Sequence, residues 1–230
     1  ADEKVTKCWL EYFRAQKLPA VALDSVTGKG MRELLALIEK AAKHRTERLV
    51  SKGVAARKAR VMILGIPNVG KSSLINRLAG AAKAKTADKP GVTRAKQWIR
   101  IGADVDLLDT PGILWPKFED RAVGLKLAFT GAVNDEIYDL ENVAHLLLAA
   151  LRRDHPERLQ ERFKFKEALP ETTEELMEAI GRKRGCLLKG GRIDFEKVQH
   201  ILLTEFRMGK FGKISLDVPP TEPSEEVDGG

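Results

Sequence analysis

The run Gly65-Ile66-Pro67-Asn68-Val69-Gly70-Lys71-Ser72 constrains this chain more than any other stretch. It fits GxxxxGK[ST], and its surroundings give the pattern meaning. Before it, Ala59-Arg60-Val61-Met62-Ile63-Leu64 is a short apolar run of strand type; after it, Leu74, Ile75 and Leu78 share one helical face. A strand, a glycine loop and a helix in this order build an anion cradle, in which backbone N–H groups and the helix N-terminus converge on phosphate oxygens. Gly65 and Gly70 let the backbone close around the anion. Lys71 is placed to reach β- and γ-phosphates and the Ser72 hydroxyl to ligate Mg²⁺, with Asn68, Val69, Gly70 and Ser73 completing the nucleotide-binding loop.

The rest of the chain reads as two regions and a tail. Residues 4–16 form an amphipathic helix with Val5, Cys8, Trp9, Tyr12 and Phe13 as a core-facing stripe. Ala20-Val21-Ala22-Leu23 reads as a short buried strand, followed by the loop Asp24-Ser25-Val26-Thr27-Gly28-Lys29-Gly30 and a helix from Met31 to about Lys43. Residues 43–60 carry Lys43, Arg45, Arg48, Lys52, Arg57, Lys58 and Arg60 against Glu47 alone, which is either a solvated basic linker or a nucleic-acid contact. Beyond the glycine loop, Gln97-Trp98-Ile99-Arg100-Ile101 and Val105-Asp106-Leu107-Leu108 read as a strand hairpin turning at Gly102-Ala103-Asp104. From Ile113 onward the periodicity is helical, over 121–129, 140–153, 157–163, 173–184 and 195–206. Asp139, Thr172 and Asp194 are the expected N-caps, and Thr172 with Glu175 fits a capping box. The expected division is a nucleotide domain over 1–117, a helical RNA- or ribosome-binding domain over 118–212 and a disordered tail over 213–230.

Asp109-Thr110-Pro111-Gly112 follows the second hairpin strand and fits DxxG, a loop in which Asp109 holds the Mg²⁺ shell and the Gly112 N–H bonds the γ-phosphate. Thr93, in the loop between the two phosphate motifs, is the threonine placed to reach Mg²⁺ when the γ-phosphate is present. Together GIPNVGKS, PGVT and DTPG resemble the GTPases of the translation-factor class. In that class the guanine-reading NKxD and SAK motifs follow DxxG, and nothing after Gly112 fits either. Ser25-Val26-Thr27, upstream of the glycine loop, resembles the SAK loop instead, and this order resembles the circularly permuted GTPases. The stretches DTPGILWPKFED and Gly181-Arg182-Lys183-Arg184-Gly185-Cys186 are most similar to the members that act in late assembly of the large ribosomal subunit.

The resemblance implies an α/β fold: a circularly permuted P-loop GTPase with a mostly parallel sheet and flanking helices, followed by a small all-α domain. It implies GTP and GDP as ligands with Mg²⁺, Ser25, Val26 and Thr27 at the base, and Ser72, Thr93 and Asp109 around the metal. Lys71, Thr93 and Gly112 become the catalytic set. It also implies that Asn68 can help hold K⁺; the other reading of Asn68 is a side chain that bonds its own loop. Partners are the large-subunit precursor and its rRNA, contacted by a cytoplasmic monomer through the basic connector and Arg182, Lys183 and Arg184. The base-reading aspartate is expected upstream of Ala1.

Ile113 stands where many GTPases carry a water-orienting glutamine, and an aliphatic group cannot orient water by hydrogen bonding. His44, His145, His155 and His200 all lie away from the motifs. Intrinsic turnover is therefore expected to be slow, on the order of 10⁻⁴ s⁻¹, with weak guanine preference. A nucleotide-gated RNA-binding module with little turnover, a GTPase of the tRNA-modification type and an ATPase are the competing functions. The net charge of +7 favours a polyanionic partner. Cys8 and Cys186 lack metal-ligand spacing, and no apolar run or signal peptide directs the chain to a membrane.

Overall fold

A computed structural model describes residues 1–53, 59–78, 80, 97–101, 105–109, 120–134 and 138–220. The chain separates into two compact units, Ala1–Ile113 with Ser215–Gly230, and Leu114–Ile214. The first unit holds α1 (Glu3–Ala15), α2 (Met31–Val50), β1 (Ala59–Ile63), α3 (Lys71–Leu78), β2 (Gln97–Ile101) and β3 (Val105–Asp109). The sheet order is β1-β3-β2, with β1 parallel to β3 and β2 antiparallel to it. Val61 and Ile63 alternate onto one face of β1 and pack with Leu107 against Met31, Leu34, Leu35 and Ile38 of α2 and Leu74, Ile75 and Leu78 of α3. Ile75 and Leu107 are fully buried at the centre of this cluster. The apolar spacing of both helices is thus used on the same sheet face, which fixes where α3 starts relative to the strand ends.

Three expectations for this unit change. Residues 20–23 form no strand: Ala22 and Leu23 are exposed, and the described sheet offers their backbone no ladder partner. A strand needs a neighbour for its N–H and C=O groups, whatever its side chains prefer. Next, α2 runs on to Val50, so Lys43, Arg45 and Arg48 are helical rather than part of a connector. Residues 43–50 contain no breaker, and the helix stops where Gly53, at φ 74, donates its N–H to the Val50 carbonyl. Lastly, no residue of α1 is fully buried and Cys8 is exposed. Its aromatic side chains stack on each other instead, with Trp9–Phe13 and Tyr12–Phe13 ring centroids 5.7 Å apart. Ser215 and Asp217, within the expected tail, are anchored here: Asp2 N–H donates to Ser215 Oγ at 2.9 Å and Trp9 Nε1 to the Asp217 carbonyl at 3.4 Å.

The second unit is helical where it is described: α4 (Arg121–Phe129), α5 (Leu140–Asp154), α6 (Pro156–Phe163), α7 (Thr173–Arg184) and α8 (Phe195–Arg207). Asp139 and Asp194 cap α5 and α8, and Thr172 with Glu175 completes the capping box of α7. Its core stacks Leu147, Leu148 and Leu151 of α5 with Leu159, Leu176, Ile180, Val198 and Leu202, all essentially inaccessible to water.

Arg182, Lys183 and Arg184, expected to contact rRNA, each have a partner within the unit. Arg182 pairs with Glu178 at 2.6 Å, Lys183 donates to the Lys164 carbonyl at 3.2 Å, and Arg184 Nη2 lies 2.9 Å from Glu205. Glu205 also accepts from Arg162 at 2.6 Å, so one carboxylate on α8 holds α6 and α7 together. Glu205→Gln leaves the two guanidinium groups side by side without their shared anion. We expect a loss of about 2–4 kcal/mol from this unit, read as a lower urea midpoint at unchanged slope. An unchanged midpoint would show that the cluster is solvent-screened and structurally idle.

Candidate nucleotide site

The site is built by strand ends. Ile63 of β1 lies in register with Asp109 of β3, and because these strands are parallel both finish at the same edge of the sheet. The chain leaves β1 into the glycine loop and leaves β3 into DxxG, so the two phosphate motifs start side by side at the edge where open α/β sheets bind ligands. Asp109 is the last residue of β3. Thr93, Thr110, Gly112 and Ile113 lie outside the described residues.

The glycine loop enters α3 at Lys71, where Leu74 N–H already donates to the Gly70 carbonyl at 3.0 Å. The first N–H groups of a helix have no intrahelical acceptor, and they face the loop's concavity. Gly70 has φ 94, a conformation that L side chains rarely adopt, which accounts for glycine at that position. Asn68 also has a positive φ, 57, which asparagine tolerates better than most residues. That gives Asn68 a backbone reason to be there, independent of any cation. The Lys71 ammonium donates to the Ile66 carbonyl at 2.6 Å, holding the lysine across the loop. A carbonyl is a weak anchor for an ammonium, and a phosphate oxygen would outcompete it. Ser72 is half-buried at the start of α3. A helix-start hydroxyl behind a lysine-bearing loop is a hard-oxygen donor of the kind Mg²⁺ takes together with phosphates and water. By the chemistry of their side chains, Ser72 at the start of α3 and Asp109 at the end of β3 would suit that metal, which would neutralise phosphate charge.

The upstream loop comes to the same place. A Cβ built on Gly70 would lie 4.0 Å from Ser25 Oγ, which puts Ser25 beside the glycine loop. Arg77 of α3 donates to the Val26 carbonyl and packs under Gly28, tying the loop to the phosphate-binding helix. Permuted order therefore costs nothing in geometry: residues 24–30, before the glycine loop in sequence, stand next to it in space.

Asp24 organises that loop, a role the sequence reading missed. Its carboxylate accepts from Val26 N–H at 2.8 Å and Thr27 N–H at 3.1 Å, and the loop closes through Gly28 N–H to the Asp24 carbonyl at 2.8 Å. An aspartate four residues before Gly28, at the start of a glycine-rich turn, is the signal that could have identified it. The Val26 N–H is thus engaged within the loop, while the Val26 side chain projects outward, 82% exposed. The backbone N–H groups of Thr27 and Val26 hold the Asp24 carboxyl below its usual value. A depressed folded-state pKa means that this ordering is present above the ordinary aspartate range and is lost as pH falls through the folded value. We expect the protection of the Val26 and Thr27 amides, measured against their intrinsic exchange rates, to fall in acid, and this acid dependence to vanish in Asp24→Asn. Protection that stays constant through the acid range in the native chain would exclude the carboxylate as the loop's organiser.

The histidines are structural or at the surface. His145 Nε2 lies 2.8 Å from Glu174, His155 is 4.0 Å from Glu157, and His44 and His200 are exposed. No group of three or more His, Cys, Asp or Glu among the described residues could hold a metal alone. No described helix is long and apolar enough to cross a membrane.

A parallel strand pair delivering a glycine-lysine loop and a DxxG aspartate to one edge, with a base loop packed beside them, defines a P-loop GTPase. A family model described as "50S ribosome-binding GTPase" matches residues 60–180. Ribosome biogenesis GTPase A of Bacillus cereus is 47% identical over 228 residues, covering 99% of this chain and 76% of that one. The protein of the same name from Thermotoga maritima is 32% identical, covering 95% and 72%. Among solved structures, GDP-bound TM YlqF aligns with a TM-score of 0.62 at 29% identity, covering 95% of this chain and 79% of that one. GNP-bound YlqF from T. maritima aligns with a TM-score of 0.61 at 29% identity, covering 95% and 77%. The chain belongs to the ribosome biogenesis GTPase A family of circularly permuted GTPases.

Proposed function

We propose that this chain binds and hydrolyses GTP as a factor for late assembly of the large ribosomal subunit, its nucleotide state gating attachment to the precursor particle and its rRNA. The observation that carries the reading is the convergence of three loops: the glycine loop after β1, Asp109 at the parallel end of β3, and Ser25 beside Gly70. Lys71 and the start of α3 bind the phosphates, Ser25, Val26 and Thr27 border the base, and Thr93 with Gly112 senses the γ-phosphate. When bound, Mg²⁺ supplies the charge that neutralises the β- and γ-oxygens. A γ-phosphate that orders the Thr93 and Asp109 segments is the differential contact that a nucleotide switch needs. Nothing in Ile113 can orient water, so turnover is slow alone and rises on the ribosomal particle.

Single-turnover GTP hydrolysis, with and without large-subunit particles, tests this. Turnover that rises on the particle, with GTP preferred over ATP in competition, is the expected result. Equal rates with and without particles would favour a nucleotide-gated binding module with little turnover. Replacing K⁺ by Na⁺ in the same assay reads whether Asn68 helps hold potassium.

A further inference from the structure

Arg182, Lys183 and Arg184 each have a partner within the helical unit, although Arg182 and Lys183 stay exposed. Two further exposed cations stand on the short hairpin between α7 and α8. Gly185, at φ 65, ends α7, Cys186 is buried beneath, and Leu187 bridges antiparallel to Ile193. Leu188 N–H donates to the Arg192 carbonyl at 2.8 Å, closing a tip of Lys189-Gly190-Gly191-Arg192. Gly190 and Gly191 have φ 84 and 78, and a Cβ on either would meet nothing within 4 Å. Bare backbone at an open tip admits the close approach of a bulky anion.

Beside the tip lies an open groove of about 560 Å³, with Leu188, Ile193 and Phe195 as its apolar walls. Leu187, Leu188 and Phe195 are 49%, 48% and 45% exposed, a concentration of apolar surface next to the exposed cations Lys189 and Arg192. Glu178 and Arg182 also line the groove, but they pair with each other at 2.6 Å and cancel. That leaves Arg192 as the remaining charge lining the groove, with Lys189 at the adjoining tip; Asp194, the cap of α8, is the one carboxylate of the hairpin.

Cations alone would suit duplex RNA, whose phosphates are its accessible feature and whose base faces are stacked away. An exposed phenyl ring next to two cations and a glycine tip suits a different ligand, one that presents a π-face and phosphates together. An unpaired nucleotide does so. We propose that the hairpin over 187–195 holds unpaired RNA, with one base against Phe195 and Leu188 and the flanking phosphates on Lys189 and Arg192. The proposal rests on the ribosome-directed reading above and names the surface that makes the RNA contact.

The test uses the full chain and a fluorescein-labelled short unpaired oligoribonucleotide, with a duplex of the same sequence in parallel. The unpaired strand should bind more tightly than the duplex. Phe195→Leu, which keeps apolar bulk but removes the π-face, should weaken that binding about tenfold, the scale of one lost stack, and Phe195→Trp should restore it. K189Q with R192Q should reduce the magnitude of the salt slope by about 1.4, two phosphate contacts at roughly 0.7 each. Circular dichroism melts check that the variants fold. Equal binding by Phe195→Leu and the native chain, or preference for duplex, would overturn the proposal. So would particle binding that the variants weaken while the oligonucleotide binds none of the proteins, since the surface would then dock a protein. Failure of the particles to stimulate GTP turnover would sink the assembly reading without touching the oligonucleotide comparison.

Discussion

Lys71→Ala should remove tight nucleotide binding, lowering affinity for GTP at least about a hundredfold while the protein stays folded. Its ammonium spans the glycine loop to the Ile66 carbonyl, so it is already held over the concavity where phosphates would lie. Two charge-assisted bonds to the β- and γ-phosphates, each about 1.5–3 kcal/mol, account for a loss of that size. On the protein side the substitution removes a bond to a backbone carbonyl, a group that water can serve, so the melting temperature should barely move. Titration with a fluorescent GTP analogue, paired with a thermal melt, separates the two effects. Unchanged affinity would remove the phosphate role assigned to this loop; lost affinity together with a collapsed melt would show that the lysine is structural. Ser72→Ala is the companion variant, expected to reduce mainly the Mg²⁺ dependence.

Legibility in the sequence follows the range of the interactions involved. The glycine loop was readable because strand, loop and helix are all local, and Gly70 needs a conformation that few other residues supply. The caps of α5, α7 and α8 were readable for the same reason: Asp139, Thr172 and Asp194 bond to N–H groups within three residues. What misled the reading was charge and pairing. A lysine-arginine run looks identical in sequence whether it faces water or a half-buried carboxylate, and Arg184 meets Glu205 only because α7 and α8 pack. Residues 20–23 have the composition of a strand, but a strand is a property of two segments. In the site itself, placing Ser25 beside Gly70 required a resemblance, since no pattern links two loops 45 residues apart in the chain.

Gly30→Ala should be among the most damaging single-methyl changes in the first unit. Gly30 precedes α2 at φ 80, and its carbonyl accepts the Leu34 N–H at 3.0 Å. A Cβ there would lie 2.2 Å from the Ala22 carbonyl oxygen and 3.0 Å from Leu23 Cα. Both obstacles are backbone, so no side chain can rotate away; either the 22–23 segment or the Asp24–Lys29 turn must move. Left-handed strain of about 1–2 kcal/mol and overpacking of about 1–3 kcal/mol act together. Gly53→Ala is the internal control: Gly53 has φ 74 but nothing within 4 Å, so it carries only the strain. Hydrogen exchange of α2 amides should accelerate far more for Gly30→Ala than for Gly53→Ala. Because Ser25 is carried by the displaced turn, Gly30→Ala should also weaken GTP binding, while Gly53→Ala leaves it intact. Equal exchange and equal affinity in the two variants would mean that the 22–23 segment yields freely, and that the base loop does not depend on its packing against it.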